Sequence, residues 1–281
     1  PIHLFSRIDE PLLQSILQKG LNAITAEEKN AEIGKWISAT ETERDKLGLS
    51  ADELKWLSDH EFIRLGVDAA WPPFEFVDED GEFAGISSGY VDAISKRLEI
   101  TTQPTLDISW SEAFERVKDG ELDILSSAVR TREREADLNF TKPYIKVPIV
   151  IATRKEGLLV SDVDDLEGKT VGVVPGYAST ELLRAKHPSV KLVEMEDVAT
   201  LLEALSAKEI DAVVESLWVI SYEKERLQLD DIKIAALTPY NLELSMAVRK
   251  DWPELVPILD KALSDLGKQE TNAIKNAWMA V

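Results

Sequence analysis

The sequence predicts an α/β protein of two helix-flanked sheets, preceded by a purely helical segment. From Phe62 onward, short apolar runs of strand length alternate with amphipathic helical runs, the order that builds largely parallel sheets. Ahead of that point, Leu12, Leu13, Ile16, Leu17, Leu21 and Ile24 keep the three-and-four spacing of a helix with one apolar stripe. From Trp252 to its end the chain returns to pure helix and matches its own beginning.

Each element has a local cause. In "LSADELKWLSDH", Ser50 stands as an N-cap with Glu53 three residues on, so hydroxyl and carboxylate satisfy two free N–H groups, and Leu54 and Leu57 supply an apolar face. "FIRLGVDA" reads as a strand, "SSGYVDAISKRL" as a helix, and "SEAFERVKDG" as a helix ended by Gly120. "LDILSSA", "PIVIATR" and "TVGVVPG" follow as strands, "ASTELLRAKH" and "VATLLEALSAKE" as helices, and "IDAVVES" and "LSMAVRK" as strands.

Sliding Pro11 onto Pro253 without a gap superimposes Arg7 on Arg249, Asp9 on Asp251, Asn30 on Asn272 and Trp36 on Trp278. Shared leucines would follow from helical composition alone. Proline, asparagine, arginine and tryptophan at one fixed offset point instead to an internal repeat. The expected organisation is the C-terminal helical tail of an upstream module over residues 1–40, a linker and lead-in helix over 41–60, and a whole second copy after that.

At 281 residues the chain is long enough for more than one lobe, since domains usually run to about 100–200 residues. Thirty-two Lys and Arg against 52 Asp and Glu give a net charge of −20, which repels phosphate backbones and anionic headgroups and argues against a nucleic-acid partner. With no cysteine, disulfides, thiolate metal sites and cysteine nucleophiles are excluded. His3, His60 and His187 are scattered without metal-ligand spacing, and carboxylate pairs in so acidic a chain are nonspecific, so neither a metal, a cofactor nor an enzymatic activity is expected. No apolar run approaches the ~20 residues of a membrane span, and Pro1 opens no secretion signal; a trimmed fragment of a longer protein is the expectation.

Three stretches carry chemistry. "LGVDAAWPPFEF" places Asp68 and Trp71 at the carboxyl end of a strand, the edge where open α/β sheets bind ligands, although a tryptophan there serves a core equally well. "LDILSSAVRTREREADLNFTKPY" runs from a strand into Arg130, Arg132 and Arg134, any one of which could clamp a carboxylate with a two-pronged guanidinium or simply face solvent. "VGVVPGYASTELL" is a strand, glycine turn and helix whose N–H groups suit an anion, without the lysine of a phosphate loop.

"WPPFEF", "SSAVRTRERE…FTKPY", "GKTVGVVPGYAST" and "IDAVVES" stand in the order found in family 3 extracytoplasmic solute-binding proteins, which residues 61–281 resemble. The resemblance implies a two-lobed, periplasmic-binding-protein-like (type II) Venus flytrap, with one lobe over 61–153 and 243–281 and the other over 154–242. Within the family the chain looks like the tandem flytraps of bacterial sensor histidine kinases and of receptors with diguanylate cyclase or phosphodiesterase outputs. That implies a periplasmic location, an upstream flytrap module, downstream transmembrane signalling domains and a homodimer as partners. A free amino-acid-binding protein of an ABC transporter and the binding-like domain of a membrane-bound lytic transglycosylase are the alternatives.

The family pattern puts Arg134 on a ligand carboxylate, with Ser127, Ala128 and Val129 beside it and Trp71 and Trp110 as aromatic walls. Tyr177, Ala178 and Ser179 fall on the turn that donates N–H groups, and Asp68 on an acid lining the pocket. One departure stands out: where the family has an aspartate for the ligand's ammonium group, "VVESLW" places Ser216. Strand alternation turns the neighbouring Glu215 away, so the expected ligand is a small carboxylate or an amino acid, the latter if Asp68 or Glu215 reaches its ammonium group instead.

Overall fold

The computed structural model describes residues 11–25, 28 and 43–279. The chain divides into two compact units, Pro1–Lys46 and Leu47–Val281. In the first, α1 (Pro11–Ala23) forms where the apolar spacing predicts it, and a short α2 spans Glu43–Lys46. The stripe of α1 is open to solvent, with Leu12, Leu13 and Ile16 76%, 44% and 62% exposed. The repeat partners Arg7, Asp9, Asn30 and Trp36 lie outside the described residues, as does most of the helical packing expected across 1–36.

The second unit opens with α3 (Ala51–Asp59). Ser50 Oγ accepts the Glu53 N–H at 3.2 Å while Glu53 Oε2 accepts the Ser50 N–H at 2.6 Å, the reciprocal cap its sequence predicts. Glu53 also pairs with Lys261 at 2.6 Å, tying this lead-in helix to the chain's last third.

After β1 (Phe62–Gly66) come the short strands β2 (Ala70–Trp71), β3 (Glu75–Val77) and β4 (Phe83–Ala84), which form a three-stranded antiparallel sheet of their own. Then follow α4 (Ile86–Leu98), β5 (Thr101–Thr105), α5 (Trp110–Lys118), β6 (Ile124–Val129), α6 (Arg134–Asp137) and β7 (Leu138–Phe140). β1 lies parallel between β5 and β6. β8 (Ile145–Arg154) carries the chain into a second half containing β9 (Thr170–Val173), α7 (Ala178–Lys186), β10 (Lys191–Glu194), α8 (Val198–Ser206), β11 (Ala212–Ser216) and α9 (Leu217–Arg226). Here β9 lies parallel between β10 and β11.

β12 (Ile232–Arg249) returns to the first half, where α10 (Leu255–Asp265) and α11 (Lys268–Trp278) cover it. Arg97 of α4 fastens both helices, pairing with Asp265 at 2.8 Å and Glu270 at 2.6 Å. The chain thus has a two-lobed α/β architecture, but the two expected sheets are joined. They form one nine-stranded mixed sheet in the order β10-β9-β11-β8-β12-β6-β1-β5, with β7 also on β12. The cause is β12, 18 residues long, which pairs antiparallel with β8 from Ile232 to Leu244 and with β6 from Leu244 to Val248. "LSMAVRK" is therefore the end of a crossing strand rather than a strand of its own.

Candidate ligand cleft

The two lobes face each other across the carboxyl ends of their parallel strands, where loops are free of the sheet's hydrogen bonding. Asp68 follows β1, Trp71 lies in β2, Ser127–Val129 end β6, and Arg134 begins α6. From the other lobe come Tyr177, the N-cap of α7, with Ala178 and Ser179 in its first turn, and Glu215 near the end of β11. These residues, with Trp110, Leu242 and Leu244, line one cavity whose volume is about 30 Å³. That is room for only a water or two, so the lobes are closed upon each other.

Direct bonds hold this closure. Arg134, 4% exposed, stands over the Trp110 ring at 5.2 Å and gives Nη1 to Val129 O at 3.1 Å. It reaches across the cleft through Nη2 to Gly176 O at 2.7 Å, and through Nε and Nη2 to Glu181 Oε1 at 3.2 and 2.8 Å. Trp110 Nε1 donates to the same Gly176 carbonyl at 2.9 Å. Tyr177 OH donates to Asp68 Oδ2 at 2.5 Å, and its ring meets Trp71 edge-on, centroids 5.9 Å apart.

Three buried carboxyl groups, those of Asp68, Glu75 and Glu215, gather at this cavity. Burial pushes the Asp68 and Glu215 carboxyls above the usual carboxylate range, and lifts Glu75 to about 8. Glu75 lies beneath the floor, where Oε2 accepts the Asp68 N–H at 2.8 Å and Oε1 the Ser126 hydroxyl. Beside it, Ser127 Oγ bonds Ser87 Oγ and Tyr144 OH, each at 2.6 Å. Glu215 Oε2 accepts Ser179 Oγ at 2.5 Å; its Oε1 and the Trp71 indole N–H are both buried without hydrogen-bond geometry, although the N–H eases the carboxylate's charge.

Ten of the eleven residues expected around the pocket thus line the cavity; Ser216 does not. It is fully buried, its Oγ accepting the Trp218 N–H at 3.3 Å to cap α9. The acid expected to turn away, Glu215, is the one that faces the cavity, so a buried acid remains at this end of the cleft. The Tyr177 N–H is also committed, closing a turn on Val174 O at 3.3 Å. Glu75, Glu181, Leu242 and Leu244 carry no signal that the sequence patterns single out. Glu75 sits inside the quoted "WPPFEF", whereas Glu181 looks like any acid in a helix's first turn.

Two lobes, long crossing strands and an interlobe cavity define a solute-binding flytrap. The model of the bacterial extracellular solute-binding proteins, family 3, matches residues 63–281, and the chain belongs to that family. It is 27% identical over 275 residues to the virulence sensor protein BvgS of Bordetella bronchiseptica, covering 97% of this chain but 22% of that protein. It is 28% identical over 226 residues to a putative ABC transporter arginine-binding protein of Escherichia coli, covering 78% of this chain and 90% of that one. The periplasmic VFT2 domain of Bordetella pertussis BvgS superimposes with a TM-score of 0.75 at 27% identity, over 82% of this chain and 99% of that domain.

Proposed function

We propose that the chain is the periplasmic ligand-sensing part of a transmembrane receptor of the sensor histidine kinase type, or one with a cyclic-di-nucleotide output. A small carboxylate or amino acid would be taken between its lobes. The observation that carries the receptor reading is the alignment with BvgS over 97% of the chain, against 78% for the transporter-type protein. The exposed α1 stripe supports it: Leu13 and Ile16 correspond by the repeat to Leu255 and Ile258, which are fully buried in α10. An upstream flytrap lobe would cover that stripe.

Arg134, among the described residues the one cation lining the cavity, supports a carboxylate, and Asp68 and Glu215 support an ammonium group. Ligand contacts shift the lobes only by as much as they differ between open and closed forms. Pairing each amino acid with its deaminated analogue in a thermal-shift screen tests the ligand class, because a bound solute raises Tm at equal concentration. With Glu215 facing the cavity, the amino form is expected to give the larger shift. A larger shift from the deaminated form would restore the ammonium-free reading, and no shift from any carboxylate would remove the class.

A further inference from the structure

Arg134 already holds a carboxylate. Glu181 Oε1 takes two guanidinium N–H groups, from Nε and Nη2, and does so from the opposite lobe. We propose that Glu181 is a tethered internal carboxylate occupying the Arg134 fork, so that a solute binds by exchange with it and Glu181 sets which carboxylates the cleft accepts. The proposal rests on the carboxylate reading of the same cleft.

The pair is unequal in freedom. The Arg134 side chain is 5% exposed and fixed on four sides, by Trp110, Val129 O, Gly176 O and Glu181, whereas the Glu181 side chain is 35% exposed at the rim. The glutamate can swing into water and the arginine cannot. The hold is also incomplete: both guanidinium bonds fall on Oε1, while Oε2 is buried without a partner. An incoming carboxylate that gives one oxygen to each prong forms the stronger, parallel pair and ends the burial of an unpaired acceptor.

A tethered group competes at a high effective concentration, so a simple carboxylate with no other contact loses to it. Only a solute that also engages the walls, Asp68 or Glu215 gains enough to displace Glu181. The residue is thereby a selectivity threshold as well as an interlobe clasp.

The chain has no cysteine, so Lys96→Cys on α4 and Glu209→Cys after α8, both exposed, accept spin labels at those positions alone. Pulsed dipolar measurements of the interlobe distance are made on the unsubstituted cleft, Glu181→Gln and Glu181→Ala, with acetate, glutarate and each L-amino acid titrated in, and with each matching amine lacking the carboxylate. Without solute, both variants should show a longer distance population than the parent. With solute, acetate included, the short distance should return in both variants, and the solute concentration giving half the maximal rise in Tm should be at least tenfold lower than in the parent, whose lobes are closed from the start. The amines should act equally on all three proteins. Unchanged distances and midpoints in both variants would overturn the proposal. If the distances lengthen but a carboxylate raises the Tm of the parent with the same midpoint as the variants, Glu181 is a clasp only and exchange is overturned. If no carboxylate moves any of the three, the carboxylate reading of the cleft falls and the exchange falls with it.

Discussion

Glu75 shows how one buried side chain sets the behaviour of a cleft it does not line. It is 1% exposed, and burial holds its carboxyl up at about 8, so the folded protein keeps a proton there that the unfolded chain releases near the ordinary value of 4.5. The folded state therefore binds more protons between pH 4.5 and 8, and stability is fully present below that window and falls as pH rises through it, by up to about 1.4 kcal/mol per pH unit for one proton. Asp68 and Glu215 are raised by the same cause and add to the trend. The exposed carboxylates held low, such as Asp59 and Asp165, have finished titrating below the window. Urea unfolding at pH 5, 6.5 and 8 should give falling stability, and Glu75→Gln should flatten the slope. Stability that rises across this range, or a slope indifferent to Glu75→Gln, would contradict the assignment. Motif position made Asp68 and Arg134 legible, but Glu75 is told apart from other acids only by what surrounds it.

Among the elements, the turn from β9 into α7 does more than connect. Gly176 has φ +76° and offers its carbonyl to both Arg134 and Trp110 of the facing lobe. A methyl group there would stand 2.7 Å from Ser111 Oγ and 3.2 Å from Trp110 Cδ1. Gly176→Ala is expected to cost roughly 1–2 kcal/mol from the left-handed backbone alone, and to push the lobes apart besides. Its thermal midpoint should fall and its scattering radius of gyration should rise. A variant with unchanged midpoint and radius would show that this turn does not seat the closed lobes.

Helices and short strands were readable because caps and periodicity are local. Ser50 and Glu53 announce α3, and the valines and isoleucines of "IDAVVES" announce β11. Sides and lengths were less so. The family pattern assigned Ser216 to the cleft and strand alternation turned Glu215 away from it, but at the end of β11 the chain turns into α9, and Ser216 is spent on the cap. The 18 residues of β12 pass a polar stretch, Thr238–Asn241, at which the pairing with β8 shifts, and a local pattern breaks there into two strands.

At the scale of the molecule, closure is what the lobes can report. Arg134, Trp110 and Asp68 from one lobe meet Gly176, Glu181 and Tyr177 from the other, and each of these bonds must break for the cleft to open. The two-lobed fold followed from the alternation of strands and helices and from the family's motifs. The charge balance of the cleft did not, because Glu181 and Glu215 join it only through the docking of lobes that lie far apart in sequence. On the proposed reading, Arg134 is the group that holds a solute carboxylate. Calorimetric titration of the carboxylate giving the largest thermal shift, against the unsubstituted protein, Arg134→Ala and Arg134→Lys, tests it. Loss of the charge-assisted partner should cost about 2–5 kcal/mol, at least ~30-fold in Kd, and lysine should recover little because its ammonium lacks the fork. Binding by Arg134→Ala with the affinity of the unsubstituted protein would contradict it.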